Sequence, residues 1–472
     1  MPTWPVHLKI ANNLAKKYHY SDDFIIGNVI PDTMNGYVID NPSNIFHHTV
    51  THYSEVQPLG VPRINIGSFL NDNRKKLSNE LILGVYCHLL ADLYFNEYTM
   101  KYHTKEENNT LFAVLKDGSL DKNVSPMTSK QNDFKVFGDD FIKNKEVGNE
   151  VKITKDTISL SKGLNYQIEK EDIKKTVDKI NEIVNDDIKK QEDYQMFTQQ
   201  ELMKVYNNCY EYIDKKINEI NQDKEIAKAF ENYTRKYDME DSDINYKYYH
   251  SYRVMEYAKH LSEKLNLSKE DRILATVIGL YHDIGRFEQD KLYDSFVDTK
   301  EFDHGDYGEK VLIKQELIKQ IPVEEKHYKL IGKAVKNHNK YSIEKGLNEK
   351  ELLHAKLIRD ADKLDIIDYM SKGKLRTKSF DYQDETFNIR EEIKEEFFNK
   401  QQIYMKDKKN RTNSESAVKT LALVFDLNFK ETAEYILENH ILDDFYNILK
   451  NKEKYEEYFL VANKHLKEMI KC

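Results

Sequence analysis

The sequence predicts an all-α protein with two helical domains, the second of which carries a helical extension. Glycine and proline are scarce, with 16 and 8 in 472 residues, which argues against a sheet-rich fold with many tight turns. Apolar residues recur at helical spacing through much of the chain. The chain is also too long for one compact core, so at least two domains are expected. We place the domains at 1–228 and 229–395, and the extension at 396–472.

The first domain is expected to be a helical bundle. Its segment NELILGVYCHLLADLYFNEY (79–98) is mostly apolar and predicts a buried helix. Residues 104–230 are more polar, but a helical apolar stripe persists there, which favours amphipathic helices over disorder. The stripe consists of Ile173, Val177, Ile180, Val184 and Ile188.

In the second domain, one helix is expected to lead to the dipeptide His282-Asp283. Ser268 is a suitable N-cap with Asp271 at the capping-box position, and Gly285 stands where a C-terminal cap belongs. The chain after 366 is again helical and charged. Its segment 416–449 is richer in apolar residues and is expected to pack on the second domain.

Charge and cysteine content exclude several classes of protein. The formal net charge is -9 and there is no basic tail, so binding to duplex DNA is not expected. Cys87, Cys209 and Cys472 are isolated, and their odd number argues against a disulfide framework and favours the cytoplasm. No long uncharged apolar segment predicts a membrane span, and the first twenty residues lack the apolar run of a signal peptide.

Histidine and aspartate residues after position 240 stand beside apolar helix faces. A carboxylate or imidazole there is costly to bury unless it is paired or bound to a metal, so their convergence predicts a metal site. Imidazole with carboxylate suits Fe, Mn, Ni, Co or Zn better than Mg or Ca. Six ligands exceed a closed structural zinc site and suffice for two ions that share a bridging carboxylate. The candidates are His250, His282, Asp283, His304, His338 and Asp362.

The order His, His-Asp, His, His, Asp resembles the HD-domain phosphohydrolases, in the form that holds two metal ions. The resemblance covers about residues 245–370. It implies that His250 is the first motif histidine and that Asp283 bridges the two ions. It also implies that His304 and His338 are the additional ligands of the second ion.

The same resemblance implies that Asp362 is the closing ligand, with Asp360 as the alternative. Gly305 follows the third histidine where the HD-GYP subgroup has proline, so cyclic-di-GMP is not implied as the substrate. Arg286 could bind a phosphate oxygen through its planar guanidinium, the alternative being a surface cation near a helix C-terminus. Lys363 is either a substrate contact or a salt-bridge partner.

The N-terminal third has its own histidines and aspartates. His88 and Asp92 are four residues apart and share a helix face, a spacing that can chelate one ion. The layout resembles the zinc-dependent phospholipase C family, which is helical and cleaves phosphodiesters. That resemblance implies a zinc-binding set: His7, Asp32, His48, His88 and Asp92. The alternative is a relative by fold alone, which would serve packing, recruitment or substrate capture.

We therefore expect a cytoplasmic metal-dependent phosphohydrolase or phosphodiesterase. Its substrate would be a small phosphate ester, such as a nucleotide or a short oligonucleotide. Asp283 and Arg286 are the expected catalytic residues, and two divalent transition-metal ions the expected cofactors. Two alternatives stay open. In one the N-terminal domain is the catalyst, with phospholipase C-like or nuclease activity, and in the other the protein is a nucleotide sensor without turnover.

Overall fold

The computed structural model of the chain describes residues 2–36, 38–56, 62–73, 76–188, 193–373, 386–403 and 411–471. About 67% of the protein is helical and its strands are few and short, which confirms the all-α prediction. Cys87 and Cys209 are buried free thiols, whereas Cys472 lies outside the described residues. The chain divides into two compact units, 1–221 and 222–472, and the division falls within a helix, Gln199–Thr234.

The first unit is built around the long apolar helix α6, which begins after Asn79 as its N-cap and contains the predicted buried segment. The helices are α1 Trp4–Tyr18, α2 Asp22–Gly27, α3 Ile30–Thr33, α4 His48–Thr51, α5 Ile66–Asn73, α6 Glu80–Tyr102, α7 Pro126–Lys143, α8 Lys155–Ser161, α9 Lys170–Asn185 and α10 Gln199–Thr234.

Two small antiparallel sheets lie between these helices. In the first, β1 (Ser54–Val56) pairs with β2 (Pro62–Ile64). In the second, β4 (Thr110–Val114) lies between β3 (Thr104–Glu107) and β5 (Leu120–Asp121). Each strand has five residues or fewer, so the sheets contribute little to the core.

The second unit is a bundle of helices. They are α11 Ser242–Lys264, α12 Lys269–Tyr281, α13 Ile284–Tyr293, α14 His304–Glu309, α15 Tyr328–Asn337, α16 Glu349–Ser371, α17 Glu391–Phe398, α18 Asn413–Leu421, α19 Lys430–Glu438, α20 Ile441–Ile448 and α21 Glu456–Lys471. Short helical turns are Lys310–Lys314, Leu317–Gln320, Glu325–His327, Ala422–Asp426 and Lys452–Tyr455.

Helix α16 faces two apolar cores. Leu357, Ile358 and Ala361 belong to a core shared with α11, α12 and α15. Leu364, Ile367 and Met370 belong to a second core that is built mainly from residues 389–466. One helix therefore supports both the bundle around His282-Asp283 and the C-terminal segment.

The predicted cap at Ser268 is confirmed, because its hydroxyl accepts from the Asp271 amide. The prediction that Gly285 ends this helix is wrong: α12 ends at Tyr281, and Gly285 lies in the first turn of α13. A Cβ at Gly285 would lie 2.3 Å from the carbonyl oxygen of His304. The glycine therefore allows the close approach of α13 and α14, which brings His304 to the His-Asp dipeptide.

Candidate metal centre

Six helices of the second unit, α11 to α16, place the six predicted side chains around one buried point. His250 is on α11, and His282-Asp283 forms the turn between α12 and α13. His304 begins α14, and His338 follows the last residue of α15. Asp362 lies on α16. The four imidazoles and Asp283 are buried, and Asp362 has 19% of its side chain exposed.

A first donor group forms on one side of Asp283. Its Oδ2 lies 3.4 Å from His250 Nε2 and 3.5 Å from His282 Nε2. Asp362 Oδ1 lies 3.1 Å and 3.7 Å from the same two nitrogens. The two Nε2 atoms are 3.3 Å apart. Two imidazoles and two carboxylates thus converge within the span that one ion would occupy.

A second donor group forms on the other oxygen of the same carboxylate. Asp283 Oδ1 lies 3.4 Å from His304 Nε2 and 3.3 Å from His338 Nε2. These two nitrogens are 3.0 Å apart. Asp283 therefore presents one oxygen to each group.

The hydrogen bonds of the imidazoles fit a metal site. Each Nδ1 faces an acceptor that has no proton of its own: Asp365 for His250, the Gly279 carbonyl for His282, Asp298 for His304 and the Val335 carbonyl for His338. A neutral imidazole so bonded carries its proton on Nδ1 and its lone pair on Nε2. Lone pairs and carboxylates then face each other in a buried space, an arrangement that cations between them would stabilise.

Neighbouring charges set different protonation preferences in the two groups. Burial and Lys247 oppose a proton on His250, but Asp283, Asp362 and Asp365 outweigh them and raise its pKa to about 9, so a metal ion bound there would displace a proton from Nε2. Burial and Arg286 lower the pKa of His304 to about 3, which keeps this imidazole neutral.

Asp283 itself is anionic. Burial alone would raise its pKa, but Lys247 and the surrounding histidines hold the pKa of Asp283 well below its usual range. Lys247 Nζ lies 2.5 Å from Asp283 Oδ2, and the lysine is 5% exposed. Sequence reasoning missed Lys247, although its position three residues before His250 places both on one face of α11.

Arg286 lies on the opposite side of Asp283, with Nε 3.7 Å from Oδ1. Its Nη1 donates to the Phe296 carbonyl (2.7 Å) and to Gln289 Oε1 (2.6 Å), and lies 3.4 Å from Asp298. Asp298 also accepts from His304 Nδ1 and thus joins a predicted ligand to the predicted phosphate-binding arginine.

The alternative ligand Asp360 faces away from the six donors. Its carboxylate accepts from the Asn428 and Phe429 amides and from the Thr432 hydroxyl, so it holds the C-terminal segment. Lys363 forms a salt bridge with Asp426, at 2.7 Å.

The first unit contains a second buried cluster. His88 Nε2 lies 3.3 Å from Asp92 Oδ2 and 3.2 Å from His52 Nε2, and His52 Nε2 lies 3.3 Å from Asp32 Oδ1. His7 Nε2 lies 3.2 Å from Asp92 Oδ1. Because His88 Nδ1 faces the Asn28 carbonyl, its Nε2 has the lone pair that a metal requires.

His48 is a correction to the predicted set. Its Nδ1 pairs with the Ser54 hydroxyl outside the cluster, while His52, at the C-terminal end of α4, lies inside. His52 is the C-cap residue of α4, with backbone angles outside the helical range (φ -111°, ψ 4°), so the two histidines do not share one helix face although they are four residues apart. The structure brings His7, Asp32, His88 and Asp92 together with His52.

The second unit is a helical domain with a buried centre of histidines and aspartates. These side chains are the donors that a metal-dependent hydrolase uses. The family model of the HD domain matches residues 248–367, a range that contains all six donors. The C-terminal half therefore carries an HD domain, and such domains are generally metal-dependent phosphohydrolases.

The family match covers about a quarter of the chain. Neither the curated proteins nor the solved structures contain a match to this sequence. Within the described ranges, the helices lack the combined length and apolar character that a bilayer crossing requires.

Proposed function

We propose that the HD domain hydrolyses a nucleotide-type phosphate ester with the help of two divalent transition-metal ions. One observation carries this proposal: the two oxygens of Asp283 face separate pairs of imidazoles. One ion would be held by His250, His282, Asp362 and Oδ2 of Asp283. The other would be held by His304, His338 and Oδ1 of Asp283, which leaves more of its positions open.

Two cations of the chain flank this carboxylate. Lys247 pairs with Oδ2 and Arg286 faces Oδ1, which supports a role for both in binding the phosphate of the ester. Among the described residues, Arg286 Nε is buried without a hydrogen-bond acceptor, so it has a donor left for a phosphate oxygen. When bound, the ions would supply an activated water and stabilise charge on phosphorus. Lys247 and Arg286 would orient the ester and stabilise its oxygens.

Phe296 supports a substrate with a planar base. Its ring is partly buried and lies 5.4 Å from Lys247 Nζ and 5.6 Å from Arg286 Cζ, at the edge of the centre. An aromatic ring next to a phosphate-binding pair suits stacking of a nucleobase. The cytoplasm is the setting that we propose, on the ground of the isolated cysteines.

The test combines metal analysis with hydrolysis of nucleotides, cyclic dinucleotides and short oligonucleotides. The wild type is compared with Asp283→Ala and with Glu301→Gln, a matched change of an exposed acid in the same domain. We expect Asp283→Ala to lose metal and hydrolysis together while helical content persists, and Glu301→Gln to keep both. Hydrolysis that survives loss of metal would contradict the proposal.

The N-terminal cluster gives a second candidate function. His7, Asp32, His52, His88 and Asp92 offer three imidazoles and two carboxylates in a buried space, which supports binding of zinc. If this unit were the catalyst, His88→Ala would abolish hydrolysis and Asp283→Ala would not.

A nucleotide sensor would bind nucleotide with both metal sites intact and release no phosphate.

A further inference from the structure

Helix α16 carries charged residues that do not face the metal centre. Arg359, Asp360 and Lys363 surround the ligand Asp362 in sequence, and all three are nearly or fully buried, at 3%, 0% and 6% exposure. Buried charges are costly unless they are paired. Their partners show which segments of the second unit this face of α16 contacts.

Arg359 holds the turn that follows α15. Its Nη1 lies 3.2 Å from the Asn337 carbonyl and 3.4 Å from the His338 carbonyl, and it also donates to the Lys340 carbonyl. The guanidinium thus binds backbone carbonyls on both sides of the proposed ligand His338.

The same turn also contacts the other ligand of the second donor group. Asn339 Nδ2 donates to Asp303, which precedes His304, and Lys340 pairs with Asp303 at 2.8 Å. A Cβ at Gly305 would lie 2.8 Å from the Lys336 carbonyl, so the two backbones are in close contact. Residues 337–340 therefore fix His304 and His338 relative to each other.

The carboxylate that pairs with Arg359 belongs to the C-terminal segment. Arg359 Nη2 donates to Asp426 Oδ2 at 2.6 Å, and Lys363 Nζ lies 2.7 Å from the same oxygen. Burial would raise the pKa of Asp426, but Lys363 and Arg359 hold it below its usual range. Asp426 is thus the shared counter-ion of two buried cations.

We propose that residues 422–432 of the C-terminal segment position the second donor group, through Asp426 and Arg359. This inference rests on the proposed two-ion function. The first donor group does not depend on this connection, because Asp365 on α16 orients His250 directly, at 2.6 Å. The C-terminal segment would then decide whether the centre holds one ion or two.

The test is the number of ions bound per full-length chain carrying His88→Ala, which removes the N-terminal cluster from the count, measured by titration with Co²⁺ and by elemental analysis. The variants are Asp426→Asn and Arg359→Lys; the second keeps the buried positive charge but cannot reach Asp426 and three carbonyls together. Thr432→Val is the matched control, because it removes one contact of the same segment, to Asp360, without touching Arg359.

We expect Asp426→Asn and Arg359→Lys to bind one ion as tightly as the wild type and the other at least about tenfold more weakly, as for other residues that orient ligands. Thr432→Val should bind both ions as the wild type does. Two ions of unchanged affinity in folded Arg359→Lys would overturn the inference, as would equal loss in Thr432→Val. If Asp426→Asn does not fold, Arg359→Lys decides. A wild type with fewer than two ions would instead refute the proposed two-ion function.

Discussion

Lys247 and Asp283 form a buried ion pair at 2.5 Å, beside the imidazoles of the first donor group. In the proposed two-ion centre Asp283 would bridge the ions, and the ammonium group would lie within reach of an oxygen of the bound phosphate. A lysine in this place can stabilise developing negative charge without being a metal ligand.

Replacement of Lys247 by Met should lower kcat/KM by about 100-fold, a typical loss for one charge-stabilising donor. The metal content should remain, because methionine removes a cation and no ligand. Steady-state kinetics with elemental analysis measure both. Lys300→Met, at an exposed lysine, is the control. Unchanged kinetics, or loss of metal with the lysine, would refute the assigned role.

His304→Ala and His338→Ala should each remove one of two ions, because both contribute to the second donor group alone. Asp283→Ala should remove both, because its oxygens serve both groups. Elemental analysis of dialysed protein measures the ratio, and circular dichroism checks the fold. The same metal loss in all three variants would contradict separate groups.

Asp298→Asn should weaken binding of the second ion by about 10- to 100-fold, the usual effect of removing a partner that orients a histidine ligand. It should also raise KM, because Asp298 lies 3.4 Å from Arg286 Nη1. Metal titration and kinetics test these effects separately. Asp294→Asn, at an exposed residue outside the centre, should change neither.

His52→Ala should lower the metal content of the N-terminal unit, whereas His48→Ala should not. His52 faces Asp32 and His88, and His48 pairs with Ser54 outside the cluster. Zinc stoichiometry of the full chain, in an Asp283→Ala background that lacks the other ions, makes the comparison. Equal zinc in both variants and the parent would exclude His52 as a ligand.

Glu270 gives a prediction for acid stability. Lys350, Lys326 and His327 hydrogen-bond to its carboxylate and lower its pKa from 4.5 to about 2. A lowered pKa stabilises the folded state above pH 4.5, and this contribution is lost as the pH falls towards 2. The stability difference between wild type and Glu270→Gln should therefore shrink between pH 5 and pH 3, as measured by urea unfolding. A difference that grows over that range would contradict the assignment.

The sequence predicted the helical class and the convergence of six donors, because helical periodicity places His250 and Asp362 on faces that also carry core residues. Local pattern could not choose between His48 and His52, since three histidines lie within six residues and only tertiary contacts show which imidazole joins the cluster. Asp426 contacts residues distant in sequence, Arg359 and Lys363. Gly285 resembled a helix end, but its role is the close approach of the His304 backbone, which only the tertiary structure reveals.

The most direct test of the central claim is anomalous diffraction from crystals of the full chain loaded with Mn²⁺. We expect two peaks on either side of the Asp283 carboxylate, about 3.5–4 Å apart. One peak should contact His250, His282 and Asp362, and the other His304 and His338. A single peak, or peaks away from Asp283, would contradict the account.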